Sequence, residues 1–233
     1  MERTCIGGER SVHWEKEYSK NKSLWGEGPS ELALAAVAFL KDGNAGDGPL
    51  NILDLGCGYG RDVFYYAQSL NCAILGIDVS AKAIEIATGT RAEKNIENTD
   101  FQCRDLADLS DDKYGVVCAS NLYQLLKIDE RIALQDAVKR TLKPGGQFFL
   151  CTMSLNDPEH YGKGTPIAGE SNSFSFKHRV YLHFCTREEL MADFGFLDII
   201  ELYEHEFDEP RAEGPPHHHI SWILIGRMPH ARR

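Results

Sequence analysis

The stretch Ile52-Leu53-Asp54-Leu55-Gly56-Cys57-Gly58-Tyr59-Gly60-Arg61 runs an apolar segment into three glycines spaced by two, then into a helix-forming segment. Glycine carries no Cβ, so backbone at Gly56, Gly58 and Gly60 can come close to a bound molecule. A helix starting at Arg61 adds free N–H groups and the positive end of its dipole. This is the arrangement of a nucleotide-like ligand site at the carboxyl ends of parallel strands. Spacing narrows the ligand. The dinucleotide fingerprint G-x-G-x-x-G/A puts Arg61 at the third small position when counted from Gly56, and Val63 there when counted from Gly58. A phosphate loop needs Lys followed by Ser or Thr at its end, and neither is present. Taken alone, the turn also fits a plain strand-to-helix connection.

Working outward, residues 51–55, 72–77, 114–119 and 147–152 are near-continuous apolar runs that read as strands covered on both faces, with a weaker one at 100–103. Segments 61–70, 81–94 and 129–142 have helical length and composition, and Lys143-Pro144-Gly145-Gly146 stops the last of them. The alternation predicts an α/β fold with parallel strands joined by right-handed crossovers. Upstream, residues 29–41 form a helix opening after Pro29-Ser30. Downstream, 154–175 is rich in Gly, Pro, Ser and Asn and reads as a long loop bordering a site. Residues 186–194 read as a short helix with Thr186 and Glu189 in a capping box. The runs 196–203 and 220–227 can pair as antiparallel strands through the acidic, His-rich connection 204–219.

The 233 residues are 42% hydrophobic and 26% charged, which fits one folded domain and neither disorder nor a fibrous repeat. A net charge of −10 disfavours nucleic acid and anionic membrane as partners. The longest apolar run, 32–40, is far short of the ~20 residues needed to cross a bilayer. With no secretory signal visible at the N-terminus, the expected location is cytoplasmic. The seven cysteines are widely spaced and lack a C-x-x-C pair, against a disulfide framework or zinc ribbon, and read as buried small hydrophobes.

Two further strand ends carry acids. Asp78 in Gly76-Ile77-Asp78-Val79-Ser80 is placed to accept hydrogen bonds from a ribose diol, and Asp105 in Cys103-Arg104-Asp105-Leu106 from an adenine amino group. Each alone could be a helix cap or a turn residue. In order, D-L-G-C-G-Y-G (54–60), G-I-D-V-S (76–80), R-D-L (104–106) and L-K-P-G-G-Q-F (142–148) resemble a class I S-adenosylmethionine-dependent methyltransferase, over roughly residues 50–154. The resemblance implies a seven-stranded doubly wound sheet of order 3-2-1-4-5-7-6 with the last strand antiparallel. It also implies S-adenosyl-L-methionine as cofactor, with Asp54, Gly56, Cys57, Gly58 and Gly60 around the methionine part, Asp78 and Val79 at the ribose, and Asp105 and Leu106 at the adenine. The N-terminal pattern W-x-x-x-Y (Trp14 to Tyr18) followed by W-G-x-x-P-S (Trp25 to Ser30) resembles the segment before the domain in thiopurine and tellurite-resistance methyltransferases. That likeness makes Trp25 a lid over the cofactor and Tyr18 a substrate contact, beside the plainer reading that these aromatics pack an N-terminal helix onto the core. The expected organisation is one domain over 1–233: lid and helix in 1–41, cofactor core in 50–154, substrate-side insertion and last strands in 155–233.

Methyl transfer from a sulfonium releases a neutral thioether, so no general acid is needed and the protein mainly positions two reactants and excludes water. A base is required only by a nucleophile that must lose a proton. None is evident in the sequence, so the expected acceptor is a small molecule with a soft S, Se, Te or As nucleophile, or an amine. Asn121 and Tyr123, after the fourth strand, are candidate contacts, with helix capping by Asn121 and core packing by Tyr123 as the alternatives. His217 and His219 fall on one face of the approach to the last strand and, with His205, read first as structural or solvent-exposed, then as pocket wall, then as metal ligands. No metal is expected. The oligomeric state is left open. The competing functional readings are a non-catalytic S-adenosylmethionine- or S-adenosylhomocysteine-binding regulator and a nucleotide-dependent oxidoreductase.

Overall fold

A computed structural model describes residues 9–44, 48–176, 180–209 and 216–230. Two N-terminal helices, α1 (Glu9–Lys20) and α2 (Glu31–Phe39), precede β1 (Leu50–Leu55), α3 (Arg61–Ser69), β2 (Cys72–Asp78), α4 (Ala81–Glu93) and β3 (Thr99–Cys103). Then come β4 (Tyr114–Ser120), α5 (Ile128–Thr141), β5 (Leu142–Met153), the short strands β6 (Thr165–Pro166), β7 (Ser173–Ser175) and β8 (Tyr181–His183), α6 (Arg187–Asp193), β9 (Asp198–Glu209) and β10 (His217–Arg227).

Seven strands form one sheet in the order β3-β2-β1-β4-β5-β10-β9, and β10 runs antiparallel to both β5 and β9. This is the expected 3-2-1-4-5-7-6 order. The near-continuous apolar runs have a simple cause. Leu53, Leu55, Val117, Ala119, Phe148 and Leu150 face α5 and α6 on one side. Ile52, Val116, Cys118, Phe149 and Cys151 face α2 and α3 on the other. Both faces of these central strands therefore leave water over residues 52–55, 116–119 and 147–153, and each buried Leu, Ile or Phe contributes roughly 1.5–3 kcal/mol relative to exposure. Cys57, Cys72, Cys118, Cys151 and Cys185 are buried free thiols as expected, Cys103 is disulfide-bonded against that expectation, and Cys5 lies outside the described residues.

Four local expectations change. The segment 154–175 is not a bare loop: it contributes β6 and β7 to a three-stranded antiparallel sheet completed by β8. The connection 204–219 is largely strand, because β9 extends to Glu209 and β10 begins at His217. Helix α5 does stop ahead of Lys143-Pro144-Gly145-Gly146, at Thr141, but the strand expected over 147–152 already begins at Leu142 and includes that segment. Gly145, at φ +77°, takes the chain from α5 straight into β5, exchanging backbone hydrogen bonds with Met228 through its N–H and through the Gly146 carbonyl. The capping box at α6 is half made. The Thr186 hydroxyl accepts from the Glu189 N–H at 3.1 Å, but the Glu189 carboxylate turns to His183 Nε2 at 2.7 Å. His183 is buried with Nδ1 held by Ser173, and a buried imidazole without a second partner would be costly.

Candidate active site

The glycine turn leaves β1 with φ of +71°, +54° and +85° at Gly56, Gly58 and Gly60, a region that side chains disfavour. Each glycine has a different neighbour. A Cβ on Gly58 would lie 2.7 Å from the Tyr18 hydroxyl, which closes over the turn, and one on Gly56 would lie 2.9 Å from Leu122 Cδ1. A Cβ on Gly60 would meet Phe101 at 2.9 Å and Phe64 at 3.2 Å, so this glycine serves helix-to-strand packing. It does not itself border the cleft. The Asp78 carboxylate holds the turn in place, accepting from the Gly58 and Ser80 N–H groups at 2.9 Å each.

Above the turn opens a cleft of about 1070 Å³. Asp54, Gly56, Cys57, Gly58, Asp78, Val79 and Leu106 border it on the sheet side, Asn121 and Leu122 at the end of β4, and Tyr18 and Trp25 from the N-terminal segment. Asp54 is 3% exposed, and burial together with nearby Asp62 and Asp78 pushes its carboxyl well above the usual carboxylate range, with Arg61 partly offsetting. Among the described residues no donor hydrogen-bonds it. Such a group favours a cation arriving beside it.

Two expected site residues lie elsewhere. Tyr123 is fully buried against Phe194 and donates its hydroxyl proton to Asp193, so it belongs to the core and not to the cleft wall. Asp105 is outside the cleft lining as well: its carboxylate accepts from the Ala107 N–H at 3.0 Å, the cap of a short turn. Trp25, 44% exposed, packs on Trp14 at 6.3 Å between ring centroids. Its loop is fastened by neighbours of the glycine turn. Tyr59 donates to the Gly26 carbonyl (2.6 Å) and accepts from the Trp25 N–H (3.0 Å), and Arg61 donates to the Trp25 carbonyl (2.5 Å). Asp62 accepts from the Ser30 N–H and hydroxyl at 2.7 and 2.6 Å. Glu15 of α1 accepts from the Ser80 hydroxyl at 2.6 Å at the start of α4.

The opposite wall is aromatic and imidazole-rich: His160, Phe176, Phe207, His217 and His219 border the same cleft. Asp157 joins them, with His219 Nδ1 2.9 Å from Oδ2 and His160 Nδ1 3.3 Å from Oδ1. Oδ1 also accepts from the Glu159 and His160 N–H groups, and Oδ2 from that of Ile220. Burial alone would raise the Asp157 pKa, but the hydrogen bonds from His160, His219 and these backbone groups hold it well below the usual carboxylate range. The first reading of His217 and His219 as structural or exposed is thus replaced by cleft wall, whereas His205 pairs with Glu31 of α2 at 2.9 Å. Sequence reasoning missed Asp157 and His160. The available signal was Asp157-Pro158, an Asx turn that leaves its carboxylate free to accept from residues just ahead.

A family model described as a methyltransferase domain matches residues 52–146. The chain is similar to a 2-heptyl-1-hydroxyquinolin-4(1H)-one methyltransferase of Mycobacteroides abscessus, at 28% identity over 102 residues, 43% of this chain and 44% of that protein. It spans about half the length, or less, of the first curated relatives it matches. Its fold is similar to that of an S-adenosylmethionine-dependent methyltransferase of Methanosarcina mazei (TM-score 0.70, 21% identity, 82% of this chain and 98% of that one). TehB of Haemophilus influenzae is also similar in fold (TM-score 0.64, 18% identity, 92% of this chain and 67% of that one). Residues 52–146 thus match a methyltransferase-domain family, and the chain has the Rossmann-like α/β fold that these S-adenosylmethionine-dependent methyltransferases share.

Proposed function

We propose that the chain binds S-adenosylmethionine on the Gly56–Gly58 turn and transfers its methyl group to a small molecule held against the imidazole-rich wall. The observation that carries this reading is the buried Asp54, without a hydrogen-bond donor among the described residues, at the floor of a cleft bounded by Gly58 and Asp78. When bound, S-adenosylmethionine supplies an electrophilic methyl group on a sulfonium. Asp54 and Asp62 give the methionine end a negative surrounding that suits its ammonium and sulfonium charges. Gly56 and Gly58 let backbone approach it, and the Asp78 carboxylate, which only accepts, offers oxygens to the ribose hydroxyls. Val79 and Leu106 flank the base, Asn121 closes the β4 end, and Trp25 with Tyr18 covers the cleft and excludes water. Positioning and desolvation then do the chemistry. The net charge of −10 supports a small acceptor over nucleic acid.

Isothermal titration with S-adenosylmethionine and S-adenosylhomocysteine tests the reading. Saturable binding that Gly58→Arg abolishes and Asp78→Ala weakens is expected. Intact protein that binds neither ligand would overturn it.

A further inference from the structure

His160, His217 and His219 stack nearly in parallel, with centroids 5.4 Å apart for His160–His219, 5.6 Å for His217–His219 and 6.2 Å for His160–His217, and interplanar angles of 5 to 10°. His160 and His219 each bring a ring nitrogen, together with an Asp157 carboxylate oxygen, to within 4.8 Å of one another, close enough to share a cation, but their Nδ1 atoms already face that carboxylate at hydrogen-bond distance. The arrangement suits proton transfer. An ionised carboxylate only accepts, so the Nδ1 atoms facing Asp157 carry the protons. His160 then keeps a lone pair on Nε2, which makes no hydrogen bond among the described residues, in a ring 30% exposed at the cleft wall. A buried carboxylate behind the ring compensates the charge of an arriving proton.

We propose that His160, oriented by Asp157 beside His219, is the general base of the transfer, and that the acceptor is an aromatic hydroxyl compound. This rests on the methyltransferase reading above and replaces the soft nucleophile, which needs no base. The acceptor oxygen forms a bond to the methyl carbon, the carbon–sulfur bond breaks with its electron pair kept by sulfur, and the hydroxyl proton passes to His160 Nε2 and on to water. Two features select the class. An imidazole is too weak a base for an aliphatic alcohol but is matched to a phenol, whose pKa is about 10. A wall of three imidazoles with Phe176 and Phe207, facing Trp14 and Trp25, fits a flat ring. Among the described residues the other titratable groups around this pair are Glu159, His217 and Asp208 on its own side, with His13, Glu17 and Lys20 lining the same cleft.

The test uses the full chain and two probes of matched shape, 1-naphthol and 1-naphthalenethiol, after S-adenosylhomocysteine binding has been measured by calorimetry. We expect methylation of the naphthol, with His160→Gln lowering its kcat/KM by about 100-fold and removing the acid limb of the pH profile. The thiol ionises unaided and should change less than about 3-fold. S-adenosylhomocysteine affinity should be unchanged in His160→Gln, which separates loss of the base from misfolding. Nitrogen-15 NMR of the imidazoles should show Nδ1–H tautomers at His160 and His219. An Nε2–H tautomer at His160, naphthol transfer indifferent to His160→Gln, or cofactor binding with transfer only to the thiol or to neither probe would each overturn the proposal. Failure to bind S-adenosylhomocysteine would instead overturn the methyltransferase reading.

Discussion

The two walls of the cleft are built in opposite ways. The glycine wall is made by consecutive backbone: one strand, one turn and one helix start between Ile52 and Arg61, braced by Asp78 twenty residues after Gly58. The imidazole wall is made by side chains from distant places, with Asp157 and His160 ahead of β6 meeting His219 on β10 across sixty-two positions. Their buried carboxylates also behave oppositely. Asp54 has no donor among the described residues and is pushed toward the neutral form by burial, whereas Asp157 is surrounded by donors and held ionised. A cation site and a proton-accepting site thus face each other across one volume.

The sharpest way to break this contrast is at the turn. Gly58→Ala places a Cβ 2.7 Å from the Tyr18 hydroxyl at φ +54°, and should weaken S-adenosylmethionine binding by about 100-fold or more, ~2.7 kcal/mol. His217→Ala on the other wall should leave that affinity within about 2-fold, and calorimetry on both variants would show whether the walls are separable.

A pH series separates the two carboxylates. Asp157 has a depressed folded pKa, so its contribution to stability is complete above the usual carboxylate range and fades as pH falls through the folded value. Asp157→Asn should therefore cost about 2 kcal/mol at neutral pH and less in acid, read as Tm against pH. Asp54 has a raised folded pKa, so its contribution is complete below the usual range and is lost as pH rises. Asp54→Asn should accordingly raise Tm toward alkaline pH. Cofactor binding to the wild type should release a proton there, seen as a calorimetric enthalpy that varies with the ionisation enthalpy of the buffer.

Smaller effects test how the N-terminal segment is attached. Tyr59→Phe removes one hydroxyl that bonds both Trp25 and Gly26, and should cost about 1 kcal/mol with a several-fold rise in the S-adenosylmethionine Kd. His205→Gln breaks a half-exposed pair with Glu31 and should shift stability by less than about 0.5 kcal/mol, with no change in binding.

The same contrast explains what could be read before the fold was known. Gly56, Gly58 and Asp78 declared themselves because close approach and left-handed φ can be met almost only by glycine, and because the brace follows at a fixed step of the β-α-β unit. Gly60 was legible as a glycine but not as a packing glycine, since Phe64 and Phe101 meet it only in three dimensions. Tyr123 sits one residue from cleft-lining Leu122, and only the turn geometry after Asn121, at φ +53°, decided that its ring would point to Phe194. Asp105 caps its own short turn, the alternative that its place at a strand end already allowed.

The sequence by itself determined the alternation of strands and helices, the capacity of the last two runs to pair as antiparallel strands and the position of the glycine turn, because apolar runs and breakers mark them locally; the strand order followed only from the resemblance of the motifs to class I methyltransferases. The segment joining β5 to α6 carries no periodicity that ties Asp157 or His160 to anything. Only the tertiary structure decided that β10 would slide His219 beside them, because antiparallel register is set by pairing with β5 and β9 over many residues rather than by any residue's neighbours in the chain.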